Sequence, residues 1–211
     1  MRLYLVRHGE SAWNQEDKVQ GHTDIPLSDA GRRQARLVAE RFTGRSLSRI
    51  YSSDLKRASE TAQEIAAVCG AELILDERLR EIRLGAWEGK TKAEIDKIFS
   101  GAYTRWLEDP ASLCIEEAET RPEFFARVRS VLTEIIEAHK NDTALCIVAH
   151  GGVITAYLSL LLGADFDRML FTMRLDNCGI TTLEITDHQR TILTINDVFH
   201  LPEPDEIKPL F

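Results

Sequence analysis

Leu3-Tyr4-Leu5-Val6-Arg7-His8-Gly9-Glu10 reads as a buried strand that runs straight into a loop. The apolar run stops just before the Arg, and the His falls where the strand ends. In open α/β sheets that edge is where ligands bind. The arrangement recurs far downstream, where Ala144-Leu145-Cys146-Ile147-Val148-Ala149 runs into His150-Gly151-Gly152. Two strands that each carry a His and then a Gly to one edge of one sheet bring two imidazoles side by side. Either copy alone also fits a structural His before a turn glycine. The pair is what points to a site.

Strands and helices alternate outward from these two stretches. Ser28 is an N-cap for a helix running to about Phe42, and Arg49 to Ser52 is a short strand. Leu55 to Cys69 is a helix with Ala58, Ala62, Ile65 and Ala66 at helical spacing, and Gly70 is its C-cap. Glu72 to Leu75 reads as a strand, residues 76–90 as loop, and Thr91 to Phe99 and Tyr103 to Leu107 as short helices. Thr120-Arg121-Pro122-Glu123 is a capping box that opens a long helix. Residues 152–162 form a helix behind His150, and Ile180 to Ile185 and Thr191 to Val198 are late strands. The pattern predicts an α/β fold: a single three-layer domain over residues 1–200, a largely parallel sheet with helices on both faces, and a loose tail over 201–211.

The 211 residues carry a net charge of −8, with 44% hydrophobic and 28% charged residues. One sizeable core follows from that length. The acidic balance argues against a nucleic-acid or anionic-membrane partner, since both need a basic face. It leaves room for an anionic small substrate in a cleft with a few focused cations. No apolar stretch approaches the ~20 residues of a membrane span, and no signal peptide precedes the first strand. Cys69, Cys114, Cys146 and Cys178 are scattered without metal-ligand spacing, which fits reduced thiols and a cytoplasmic protein. Oligomeric state stays open, a homodimer being one option.

Two further stretches complete a constellation: Ser53-Asp54-Leu55-Lys56-Arg57-Ala58, and Glu81-Ile82-Arg83-Leu84-Gly85-Ala86-Trp87-Glu88-Gly89. Alone, Arg57 reads as a solvated helix charge and Glu81 as part of a salt-bridged loop. Together with Arg7-His8-Gly9-Glu10 and Ala149-His150-Gly151-Gly152, they resemble the motifs of the histidine phosphatase superfamily, also called the phosphoglycerate mutase-like family. The likeness runs from Arg2 to about His200. It implies that fold, and an enzyme that works without a metal or other cofactor on a small phosphorylated metabolite.

It also implies roles. A phosphoryl group needs cationic donors around its oxygens and a nucleophile in line with the leaving oxygen. By resemblance His8 attacks phosphorus and becomes phosphohistidine, while Arg7, Arg57 and His150 bind the phosphoryl oxygens. Glu81 gives a proton to the leaving oxygen and then takes one from the hydrolytic water. Asn14 matches a position that reaches the phosphate, and Gly151 can offer its N–H at a helix start. Gln20-Gly21-His22 belongs to a loop that borders substrate in the family, although His22 also fits a simple turn residue. Glu10 fits a role in orienting the first loop. His8, His150 and Glu81 could be drawn as a two-His, one-carboxylate metal site, but two arginines in one pocket repel a cation.

The family contains mutases, which return the phosphoryl group to the bound glycerate, and phosphatases, which give it to water. The acid loop from Glu81 and the compact segment from Lys90 to Thr120 resemble the phosphatase branch, in particular α-ribazole and broad-specificity phosphatases. Where such relatives have G-E-S before the long helix, this chain has Ala118-Glu119-Thr120. The resulting expectation is a phosphatase for small phosphomonoesters, α-ribazole 5′-phosphate, phosphoserine and phosphoglycerates among them. The alternatives are a cofactor-dependent phosphoglycerate mutase and a non-catalytic phosphate-ligand sensor.

Overall fold

Arg2–Arg7 forms strand β1, as the opening apolar run predicts, and it is flanked by strands from distant parts of the chain. The computed structural model describes residues 1–110 and 114–202. Strands β2 (Arg49–Ser52), β3 (Leu73–Leu75), β4 (Ala144–Ala149), β5 (Ile180–Ile185) and β6 (Arg190–Asp197) complete a six-stranded sheet in the order β3-β2-β4-β1-β5-β6. β3, β2, β4 and β1 are parallel, while β5 and β6 are antiparallel to their neighbours. β4 lies near the middle, and all six of its residues are buried. That burial accounts for a continuous apolar run in place of strict alternation.

Helices cover both faces. α1 (Ala12–Gln15) is a single turn, followed by α2 (Asp29–Glu40) and α3 (Lys56–Cys69). Further along are α4 (Lys92–Ile98), α5 (Ala102–Glu108), α6 (Arg121–Ala138), α7 (Gly151–Leu162) and α8 (Phe166–Thr172). On one face Val38 and Phe42, with Ala58, Ala62 and Ile65 of α3, pack against Val6, Ile50, Cys146 and Val148. On the other, Phe124, Val128, Leu132 and Ile136 of α6 and Val153 and Leu158 of α7 pack against Leu3, Leu5, Leu145 and Ile147. Successive residues of β1 and β4 therefore feed opposite cores, as strand geometry requires. Burying each such aliphatic side chain contributes about 1.5–3 kcal/mol. A third, smaller cluster of Trp87, Ile95, Ala102 and Tyr103 sits under α4 and α5.

The caps act where the sequence places them. Ser28 accepts from the N–H of Gly31, Thr120 caps α6 reciprocally with Glu123, and Gly70 ends α3 in the left-handed conformation at φ 68°. Some boundaries differ. α2 stops at Glu40 because Arg41 and Phe42 bond back three residues, tightening the last turn. Residues 76–90 contain two 3₁₀ turns, Glu77–Leu79 and Gly85–Trp87. β6 begins at Arg190, α7 at Gly151 and β3 at Leu73. α1 and α8 are additions to the sequence reading. Of the expected tail, Leu201 bonds back to Val198 and packs on the α2–α3 side. The rest, from residue 203, lies outside the described residues. Among the described residues no helix is long and apolar enough to cross a membrane.

Candidate active site

β1 and β4 are hydrogen-bonded in parallel with Arg7 opposite Ala149, so the next residue on each is a histidine. The two rings stand edge to face with centroids 5.1 Å apart. His8 Nδ1 lies 2.7 Å from the carbonyl of Gly9. A carbonyl only accepts, so Nδ1 carries the proton and the neutral ring keeps its lone pair on Nε2. Burial, reinforced by Arg57 and then Arg7, holds the His8 pKa well below 6.5. Burial and Arg57 lower that of His150 in the same way. Both imidazoles are therefore neutral at pH 7. His150 is fully buried and does not itself line the cleft.

Arg7, the last residue of β1, donates from Nη1 to the carbonyl of Leu175. Arg57, in the first turn of α3, is 1% exposed, and donates from Nη1 to the Thr23 carbonyl at 2.9 Å and from Nη2 to the Gly21 carbonyl at 2.8 Å. Burial lowers its pKa to about 10, which leaves it charged at pH 7. Arg7 Nε, Arg57 Nε and both ring nitrogens of His150 are buried and find no partner within the protein. Each unmet polar group of this kind costs about 1–3 kcal/mol. An anion in the cleft, whose oxygens accept, can offset that cost at the two arginine Nε–H groups.

Glu81 faces the same pocket. Its Oε2 accepts from the backbone N–H of Gly152 at 3.0 Å, in the first turn of α7, and its Oε1 accepts from the N–H of Ile82 at 2.9 Å. The backbone of the acid loop is held from behind. Arg127 of α6 donates to the carbonyls of Arg78, Arg80 and Glu81, and forms an ion pair with Glu119 at 2.6 Å. Glu119 is the middle residue of Ala118-Glu119-Thr120, and Thr120 still caps α6. The departure from G-E-S thus leaves both the cap and the support of the acid loop in place.

Asn14, Gln20, Gly21 and Gly151 line the cleft beside Arg7, His8, Arg57 and Glu81. Asn14 caps its own single-turn helix, its Oδ1 accepting from the Ser11 N–H, and Gln20 Oε1 accepts from the Ser11 hydroxyl at 2.7 Å. Glu10 accepts from Gln15 and Ser28, an orienting role. The His22 ring does not line the cleft: its Nε2–H donates to the Glu81 carbonyl at 2.8 Å. The ring is thus engaged with the backbone of Glu81 and is more than a simple turn residue. Sequence reasoning missed Arg127 and Asn177, whose Nδ2 donates to the His8 carbonyl at 3.0 Å. Nothing in the sequence marks a helix arginine or a loop asparagine for such work. Glu88 was visible in the acid-loop motif, but not its hydrogen bonds.

The cleft measures about 1490 Å³ and runs from this cationic end along Ile82, Leu84, Trp87, Tyr103, Trp106 and Ile115. Ordinary ligand pockets occupy about 300–1,000 Å³, so the opening is wider than a phosphate alone needs. Trp87 doubles as core, packing on Tyr103 and Trp106. Among the described residues no group of three or more His, Cys, Asp or Glu side chains is arranged to hold a metal ion.

A family model for the histidine phosphatase superfamily (branch 1) matches residues 3–198. Phosphoserine phosphatase 1 of Hydrogenobacter thermophilus is 34% identical over 96% of this chain and 95% of its own length. Phosphoglycerate mutase-like protein 4 of Arabidopsis thaliana is 38% identical over 95% of this chain and 87% of its own. The crystal structure of phosphoserine phosphatase from Entamoeba histolytica, in complex with 3-phosphoglyceric acid, matches with a TM-score of 0.81 at 33% identity, covering 95% of this chain and 99% of that one.

Proposed function

The chain belongs to the histidine phosphatase superfamily, and we propose that it hydrolyses small phosphomonoesters through a phosphohistidine at His8. The observation that carries this reading is the pair of buried, unpartnered Nε–H groups on Arg7 and Arg57, which line the cleft with a neutral His8.

In the proposed cycle His8 Nε2 donates its lone pair to phosphorus, and the bond to the ester oxygen breaks. Arg7 and Arg57 take the phosphoryl oxygens, where fixed charge in a dry site is worth far more than in water. Glu81 gives its proton to the departing oxygen. The carboxylate then takes a proton from water as the oxygen bonds to phosphorus, the P–N bond breaks, and the imidazole recovers its lone pair. Inorganic phosphate leaves. Every charge is met by the chain's own side chains, so the proposal includes no metal.

For the alcohol portion, the names of the phosphoserine phosphatase relatives favour a short, carboxylate-bearing ester such as phosphoserine. A second reading, a bulkier ester such as α-ribazole 5′-phosphate, is favoured by the width and apolar wall of the cleft. Hydrolysis is proposed over mutase action because the segment from Lys90 to Thr120 is short. Purified protein should be screened against phosphoserine, 2- and 3-phosphoglycerate, α-ribazole 5′-phosphate and an aryl phosphate. Release of inorganic phosphate is the expected result. Rapid interconversion of the two phosphoglycerates with negligible phosphate release would overturn it in favour of a mutase. Inertness towards all of them would favour a sensor.

A further inference from the structure

Arg57 does not stand on its own. Its two terminal nitrogens rest on the carbonyls of Gly21 and Thr23, the residues on either side of His22. A loop of three residues therefore aims the buried guanidinium, and the position of that loop is set by one carboxylate. Glu88 Oε1 accepts from the N–H groups of His22 and Leu84, both at 3.0 Å. Its Oε2 accepts from the Thr23 N–H at 3.0 Å and the Thr23 hydroxyl at 2.6 Å. Gly21 adopts φ +52°, and a Cβ there would lie 2.0 Å from Glu88 Oε1. The loop and the carboxylate are thus in direct contact along its whole length. His22, between the two carbonyls, donates to the backbone of Glu81.

We propose that Glu88 is a positioning residue for phosphate binding, holding Gly21-His22-Thr23 in the form that aims Arg57 at the phosphoryl group. The inference rests on the phosphate-binding pocket read above. Three of the four donors to Glu88 are backbone N–H groups, which can only donate. A carboxylate satisfies all of them. An amide of the same shape places its own NH₂ against one or more of them, so Glu88→Gln must disturb the loop although it fills the same space. Glu88 does not line the cleft, so it acts on the ligand only through its neighbours.

The test is a double-mutant cycle read by binding, with inorganic phosphate titrated calorimetrically into wild type, Glu88→Gln, Arg57→Ala and the double variant. Glu88→Gln should weaken phosphate about 10- to 100-fold, as other groups that orient a ligand through a neighbour do. In the Arg57→Ala background the same change should cost less than about 3-fold, because groups that act through one another are not additive. The full loss in both backgrounds, or no loss in either, would overturn the proposal. Circular dichroism checks that each variant folds. If Glu88→Gln does not, Thr23→Val removes only the hydroxyl contact, and its smaller loss must likewise vanish with Arg57→Ala. The readout needs no turnover. A wild type that binds phosphate but hydrolyses nothing contradicts the phosphatase reading and leaves this one standing, whereas one that binds no phosphate overturns both.

Discussion

Gly152 holds Glu81 by its backbone and leaves no room for a side chain: its N–H donates to Oε2 at 3.0 Å, while a Cβ at that position would meet Oε1 at 2.2 Å. The second glycine of His150-Gly151-Gly152 is therefore a condition on where the carboxyl can stand.

Gly152→Ala should displace Glu81 and imitate its loss. Rates on alkyl phosphates are expected to fall about 10²–10⁴-fold, the usual worth of a positioned acid. Nitrophenyl phosphate should lose less in the burst phase, because that leaving group needs little protonation. Phosphate affinity should stay within a few-fold, since Arg7 and Arg57 are untouched. Glu81→Gln is the reference variant. Equal losses on both ester types would remove the acid role from Glu81.

His8 is expected to carry the label. Brief mixing with a radiolabelled ester followed by alkaline denaturation should trap a phosphoenzyme that survives base and decays in acid. His8→Ala should show no label and no turnover. A labelled or fully active His8→Ala protein would place the nucleophile elsewhere.

The two buried imidazoles should make the fold sensitive to acid. Both have pKa values depressed in the native state, by burial first and the arginines second. Above pH 6.5 the folded and unfolded states are alike neutral there, and the contribution to stability is complete. Below 6.5 the unfolded chain binds protons that the native site refuses, so stability is lost as pH falls. The slope is about 1.4 kcal/mol per pH unit for each such group. Denaturant unfolding between pH 7.5 and 5 should show this decline, and His150→Asn should flatten it. An unchanged slope in that variant would mean that His150 is protonated in the native protein.

Chelation should leave the rate nearly unchanged, and orthovanadate should inhibit, since it mimics the pentacoordinate transition state that an enzyme binds more tightly than substrate. Phosphatase assays with and without a strong chelator decide it. Activity lost on chelation and restored by one divalent ion would contradict the scheme.

The residues that meet at the site were legible from the sequence, the two histidines by their place after apolar runs, and Arg57 and Glu81 only through the family resemblance of their stretches. Arg7, His8, His150 and Gly151 lie at the ends of apolar runs, Arg57 follows a strand and opens a helix, and Glu81 precedes a glycine-rich loop. What could not be read is what reaches across the chain. Arg127 looks like any solvated helix charge, yet its guanidinium gathers the carbonyls of Arg78, Arg80 and Glu81, at and just before the start of the acid loop. His22 fits a turn, and only the fold shows its ring on the Glu81 backbone. The antiparallel direction of β5 and β6 was likewise hidden, because alternation marks a strand and not its sense. α8 had a signal that was passed over: Asp165 caps it, and Phe166 and Leu170 are one helical turn apart and buried.

The strand order has a bearing on how the protein comes to be made. β4 is synthesised late, yet it is the strand that joins β1 to β2. While a ribosome has delivered only the first two-thirds of the chain, His8, Arg57 and Glu81 already exist, but β1 and β2 lack the strand that lies between them. Such long-range pairing is slow to form. A nascent chain that stops before β4 therefore lacks both the strand that brings β1 beside β2 and His150 itself, so the side chains gathered in the pocket meet only after β4 has been made.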